Sequence, residues 1–133
     1  MRYMLTFGGD PLTLEALPAD EAARANEELD RWWQHNRRWG RILTGARLTA
    51  PVTATTIRFV GTRAILHDGP FTPEPEAVGG YAIVQAADLN EAVALAYSWP
   101  AGGYVEIRPL LSSDGVPERA DHPRETAQRG QNR

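Results

Sequence analysis

Residues 54–69, ATTIRFVGTRAILHDG, hold two short runs rich in β-branched and aromatic side chains, joined at Gly61-Thr62 and closed by His67-Asp68-Gly69-Pro70. Such runs on either side of a Gly-containing break predict a β-hairpin, with strands at about Thr55 to Val60 and Arg63 to His67. Beyond it, FTPEPEAVGGY crosses a Pro- and Glu-rich segment and re-enters an apolar strand, about Gly80 to Ala86. A hairpin followed directly by a third strand excludes an all-helical fold. Its helices must therefore come from either side of this stretch.

Upstream, Arg2 to Phe7 alternates Tyr3, Leu5 and Phe7 with Arg2, Met4 and Thr6, the period of a strand with one apolar face. After Pro18, ADEAARANEELDRWWQHNRRWGRIL places Ala22, Ala25, Leu29, Trp32, Trp33 and Leu43 at helical spacing. Asp20 is the expected N-cap and Gly45 the expected stop, with acidic residues early and arginines late to suit the helix dipole. Downstream, Asp88-Leu89-Asn90-Glu91 reads as a capping box opening a helix with face Leu89, Ala92, Val93 and Ala96. Pro100 and Gly102-Gly103 end it, and YVEIRPLL is the last strand. The order predicts an α+β fold, a ferredoxin-like βαββαβ protomer with an extra hairpin strand and both helices on one sheet face. One domain is expected over residues 1–111. Residues 112–133 form a polar tail whose composition predicts disorder.

Composition narrows the function. The chain has 133 residues, enough to bury about two thirds of its unfolded surface in one core. It lacks a run of eighteen apolar residues, and its first ten lack the apolar region of a secretory signal, so a cytoplasmic location and no membrane partner are expected. No cysteine is present, which removes disulfides, thiolate metal sites and cysteine nucleophiles. All 14 basic residues are arginine, yet the net charge is −3 and no broad basic patch is visible, so nucleic acid is not an expected partner. The three histidines lack ligand spacing, and neither a metal nor a cofactor is expected.

RYMLTFGGD, ATTIR with a hairpin into HDGPF, GGY, ADLNEAVALA and VEIRPL follow one another in an order that resembles the YCII-related family, in the branch named for its DGPF signature. The resemblance covers roughly Met1 to Leu111. It implies a ferredoxin-like protomer that pairs sheet to sheet into a dimeric α+β barrel, hence a homodimer, and it implies no settled activity. The wider family includes a dehydrochlorinating enzyme for which a His/Asp pair has been proposed. DGPF proteins are often associated with extracytoplasmic-function sigma factors. The chain departs from the usual pattern at His67, where Thr is common, in lacking the Lys usual after DGPF, and in the first helix, enriched by Trp32, Trp33 and Trp39.

The candidate catalytic residues are His67 and Asp68. An imidazole titrates near neutral pH and is the natural proton-transfer group, or it is a strand-end histidine with a structural role. Asp68 before Gly-Pro is a general base or orienter, or a turn residue that hydrogen-bonds backbone. Strand alternation puts the two on opposite faces. His35, on the first helix, reads as a surface or interface residue. Parity also gathers Arg2, Arg58, Glu106 and Arg108 on the sheet face opposite the helices, where enclosure would require them to pair or to hold a ligand. Arg58, Arg108, Glu106, Tyr81 and Trp39 are the expected substrate-binding residues, with Glu106 paired to Arg58 or Arg108 as the structural alternative. Trp32 and Trp33, at helical spacing with Leu29, read as core, with a ligand platform as the alternative. The expected function is a small-molecule-binding homodimer, a cofactor-independent enzyme of a biosynthetic or catabolic pathway that promotes elimination, isomerisation or cyclisation of an organic substrate. The alternative is a non-catalytic accessory protein working beside a sigma factor.

Overall fold

The computed structural model describes residues 1–9, 17–72, 76–112 and 115–116. Most of the expected polar tail lies outside them. The elements in chain order are β1 (Arg2–Gly8), α1 (Ala19–Arg38), β2 (Ile42–Arg47), a 3-10 turn (Pro51–Thr53), β3 (Thr55–Val60), β4 (Arg63–Asp68), β5 (Val78–Gln85), α2 (Leu89–Tyr97) and β6 (Tyr104–Pro109). Four strands form one antiparallel sheet in the order β2-β5-β1-β6, and β3-β4 form a second, two-stranded sheet. With the hairpin set aside, the remaining βαββαβ chain is the ferredoxin-like plan, β1 and β5 lying at the centre.

The sheet's period of two divides it cleanly. Tyr3, Leu5 and Phe7 of β1, Ala82 and Val84 of β5 and Ile42 of β2 are buried together with Trp32, Trp33, Ala92 and Leu95 of the helices, and Val105 and Ile107 of β6 pack against them. Phe7 stacks on Trp99 with centroids 3.9 Å apart, and Trp32 meets Phe7 edge-on at 5.7 Å. Offset stacking and edge contacts are the arrangements that aromatic quadrupoles favour. The opposite sheet face carries Met4, Thr6, Tyr81, Ile83, Glu106 and Arg108, and neither helix covers it.

Several local expectations are corrected. The first helix does not run on to Gly45; it ends at Arg38, capped at Trp39, and Gly40 turns the chain with φ +75°. Ile42–Arg47, including Leu43, is an edge strand instead. Gly45 is needed there for close approach, since a Cβ would lie 2.9 Å from Trp33 Cζ3 and 2.5 Å from the Tyr81 carbonyl oxygen. The N-cap is Pro18, which supplies no side-chain bond; Asp20 sits in the first turn, where with Glu21 it still complements the dipole. In α2, Asp88 Oδ1 accepts from Glu91 N at 2.9 Å as expected of a capping box, while the Glu91 carboxylate returns to Ala87 N. Leu89 is exposed, and Leu95 joins Ala92 in the core.

Candidate functional site

The hairpin has two distinct faces. Cross-strand pairs Thr56↔His67, Arg58↔Ile65 and Val60↔Arg63 share one, and Thr55↔Asp68, Ile57↔Leu66 and Phe59↔Ala64 share the other. The first is half polar. Across it folds the Asp68-Gly69-Pro70-Phe71 turn: Gly69 N donates to Ala54 O at 2.8 Å, Thr56 Oγ1 to Gly69 O at 2.7 Å, and Arg58 Nη2 to Phe71 O at 3.1 Å. Gly69 has φ +115°, a conformation that disfavours any side chain. His67 and Thr56 are half-buried, whereas Asp68 and Arg58 are exposed.

The second face is apolar and open. Phe59 is 78% exposed and Leu66 63%, with Ile57 exposed beside them. Such side chains on a surface are individually ordinary, but a contiguous set on a two-stranded sheet is a surface that water solvates poorly. A lone two-stranded hairpin is also marginally stable in water.

The sequence-predicted site residues fall in three places. Arg58, His67 and Asp68 are on the hairpin, Tyr81, Glu106 and Arg108 on the open face of the four-stranded sheet, and Trp39 at the end of α1, 65% exposed. Among the described residues no hydrogen bond or ion pair joins the hairpin group to the sheet group. Arg58 is thus not on the four-stranded sheet as parity suggested, because β3 is not one of its strands. Glu106 pairs with Arg108, Oε1 to Nη2 at 3.3 Å, both largely exposed in the single chain. An ion pair so exposed contributes little to stability. On the same face Thr6 lies between Tyr81 and Glu106, and Met4 between Ile83 and Arg108.

Two residues here were not singled out from the sequence. Thr56 stands opposite His67 and fixes the turn; its place in ATTIR, one residue before Ile57 and two before Arg58, was the available signal. Tyr104 begins β6 on the same face as Glu106 and donates through Oη to Glu76 O at 3.0 Å. Its phenol is pushed above the ordinary 10.0, first by burial and then by the carboxylates of Glu76 and Glu106. His35 lines a polar groove of about 830 Å³ between α1 and α2, alongside Arg31, Arg38, Arg41 and Glu91. No group of three His, Cys, Asp or Glu side chains among the described residues is placed to hold a metal ion. Nor is any helix among them long and apolar enough to cross a membrane.

The YCII-related domain model matches residues 1–112. The chain is also 28% identical over 114 residues to an uncharacterized protein of Rhizobium meliloti (strain 1021), covering 83% of this chain and 92% of the relative. The split βαβ sheet, the two helices on one face and the match across nearly the whole described chain agree: this protein belongs to the YCII-related domain family.

Proposed function

We propose that the protein is a homodimer that closes a small-molecule site between the open sheet faces of its two protomers and transfers protons there without a cofactor. The observation that carries this reading is the pair of uncovered surfaces, Met4, Tyr81 and Ile83 on the sheet and Ile57, Phe59 and Leu66 on the hairpin. A twofold partner covers like with like, so one isologous contact relieves both. The same contact encloses Glu106 and Arg108, and an enclosed ion pair of good geometry is held by partners or by a ligand.

His67 is the acid or base at the margin of that interior: it stands half-buried next to Thr56, on the hairpin face that the DGPF turn crosses rather than on the apolar face that the partner covers. Arg58 and Arg108 steady negative charge developing on a carbonyl or carboxylate oxygen of the substrate. Asp68, on the opposite hairpin face, does not orient His67 and takes the lesser role of contacting substrate from the edge. Tyr81 lies on the open sheet face, across Thr6 from Glu106, whereas exposed Trp39 lies off the sheet at the end of α1 and is left out of the site.

The test is proton exchange. Incubation in D2O with a panel of cyclic ketones and lactones, followed by NMR, is expected to show protein-catalysed deuterium incorporation for at least one compound. His67→Gln should lower that rate at least about a hundredfold, the contribution of a positioned general base, while leaving the dimer intact. No exchange with any compound, or an unchanged rate in His67→Gln, would overturn the catalytic reading. A monomeric and catalytically silent protein would favour the accessory role, with the hairpin meeting a sigma factor.

A further inference from the structure

The polar groove of about 830 Å³ between α1 and α2 lies on the helix side of the four-stranded sheet, opposite the proposed dimer interior. That volume is in the range of small-molecule sites. Arg31, His35 and Arg38 reach it from α1, Glu91 and Leu95 from α2, and Arg41 from the turn after α1. Arg31, His35 and Arg38 recur at helical spacing and so share one face of α1. Among the described residues, neither Arg31 nor Arg38 makes a side-chain hydrogen bond or ion pair. Their positive charge is therefore left uncompensated along one wall of the groove.

Arg41, by contrast, is held in place. Asn36 lines the groove and is buried, 3% exposed; its Nδ2 donates to Trp32 O at 2.8 Å, and its Oδ1 accepts from Arg41 Nη1 at 3.2 Å. The Arg41 backbone is fixed as well, its N donating to Asn36 O at 2.9 Å and its O accepting from Gln85 N at 2.8 Å. A buried amide thus anchors one guanidinium beside the groove, with most of its N–H groups unengaged by the described residues. The carboxylates of the groove do not cancel these charges. Glu91 is engaged with Ala87 N in the capping box of α2, and Glu28 stands about 15 Å of helix before Arg38. A single carboxylate occupies one guanidinium fork, whereas a diphosphate presents charged oxygens to more than one. Trp32, Leu95 and Pro100 add an apolar strip to the lining.

We infer that this groove binds the diphosphate group of a small organic molecule, gripped by Arg31, Arg38 and Arg41. Every residue of the site belongs to one protomer. It stands or falls separately from the dimer interior and from His67.

The experiment is isothermal titration calorimetry of the full chain in about 0.1 M salt without divalent cations, where long-range attraction is screened. The probes are pyrophosphate, inorganic phosphate and citrate. Pyrophosphate is expected to saturate one site per chain and to bind at least about tenfold tighter than either of the others. Arg38→Gln and Arg41→Gln should each weaken pyrophosphate about tenfold or more, with unchanged circular dichroism. Arg24→Gln removes the same charge from α1 outside the groove and should leave the affinity within about twofold. A titration that fails to saturate, citrate binding as tightly as pyrophosphate, or equal losses from Arg24→Gln and Arg38→Gln would each overturn the assignment.

Discussion

At the scale of single residues, packing distances decide more than residue type. Gly45 looks like a helix stop in RILTGARL, yet it is a strand residue whose missing side chain lets β2 pass over Trp33 and alongside Tyr81. Gly45→Ala is therefore expected to destabilise the fold by about 2–3 kcal/mol, the cost of overpacking a rigid contact, measurable as a lower urea midpoint. Tyr3 offers a second test. It is 3% exposed, and its phenol is pushed above the ordinary 10.0, mainly by burial and further by the Asp88 carboxylate. A raised folded value means that the contribution of Tyr3 is fully present below about pH 10 and is lost as pH rises beyond it, because the unfolded chain then ionises first. Tyr3→Phe should accordingly show a shallower loss of stability than the unaltered protein between pH 9 and about pH 11, and equal slopes would contradict the burial of that hydroxyl. What alternation gives at this scale is direction. That His67 and Asp68 diverge was legible from parity alone; that Arg58 bonds Phe71 O was not, because a chain reversal four residues long has no period to read.

Among the elements, the legible ones carry local signatures. The capping box at Asp88 is one of these: its Oδ1 accepts from Glu91 N, and Asp88→Ala should cost about 1 kcal/mol, seen as a lower thermal midpoint with the α2 amides exchanging faster. The alternation of β1, β5 and β6 and the Trp32-Trp33 face of α1 were likewise readable. The edge strand β2 was not. Its single buried apolar residue is Ile42, and its pairing with β5 is irregular between Ile42 and Thr44, so the sequence offers no clean period of two. Leu43 then falls in step with the preceding helical stripe and extends it by mistake. Gly40, rather than the Gly five residues later, was the stop signal. Missing β2 had one further consequence: it left the hairpin as the only candidate for the sheet's remaining strand, which wrongly placed Arg58 beside Glu106 and Arg108.

For the whole molecule, the central question is what covers the surfaces that one chain leaves open. The four-stranded sheet has helices on one face only, and the hairpin stands as a sheet of its own with Phe59 78% exposed. Stable homodimer interfaces are more apolar than ordinary surface and bury on the order of 1,200 Å² or more. Phe59→Arg puts a charge on the hairpin's apolar face, beside Ile57 and Leu66, and is expected to separate the protomers while leaving the core of Leu5 and Val84 folded. Sedimentation equilibrium of the unaltered chain beside Phe59→Arg measures this directly. The unaltered protein should sediment at twice the 14.7 kDa chain mass and Phe59→Arg at the single-chain mass with unchanged circular dichroism; a single-chain mass for the unaltered protein at every concentration would contradict the shared interior.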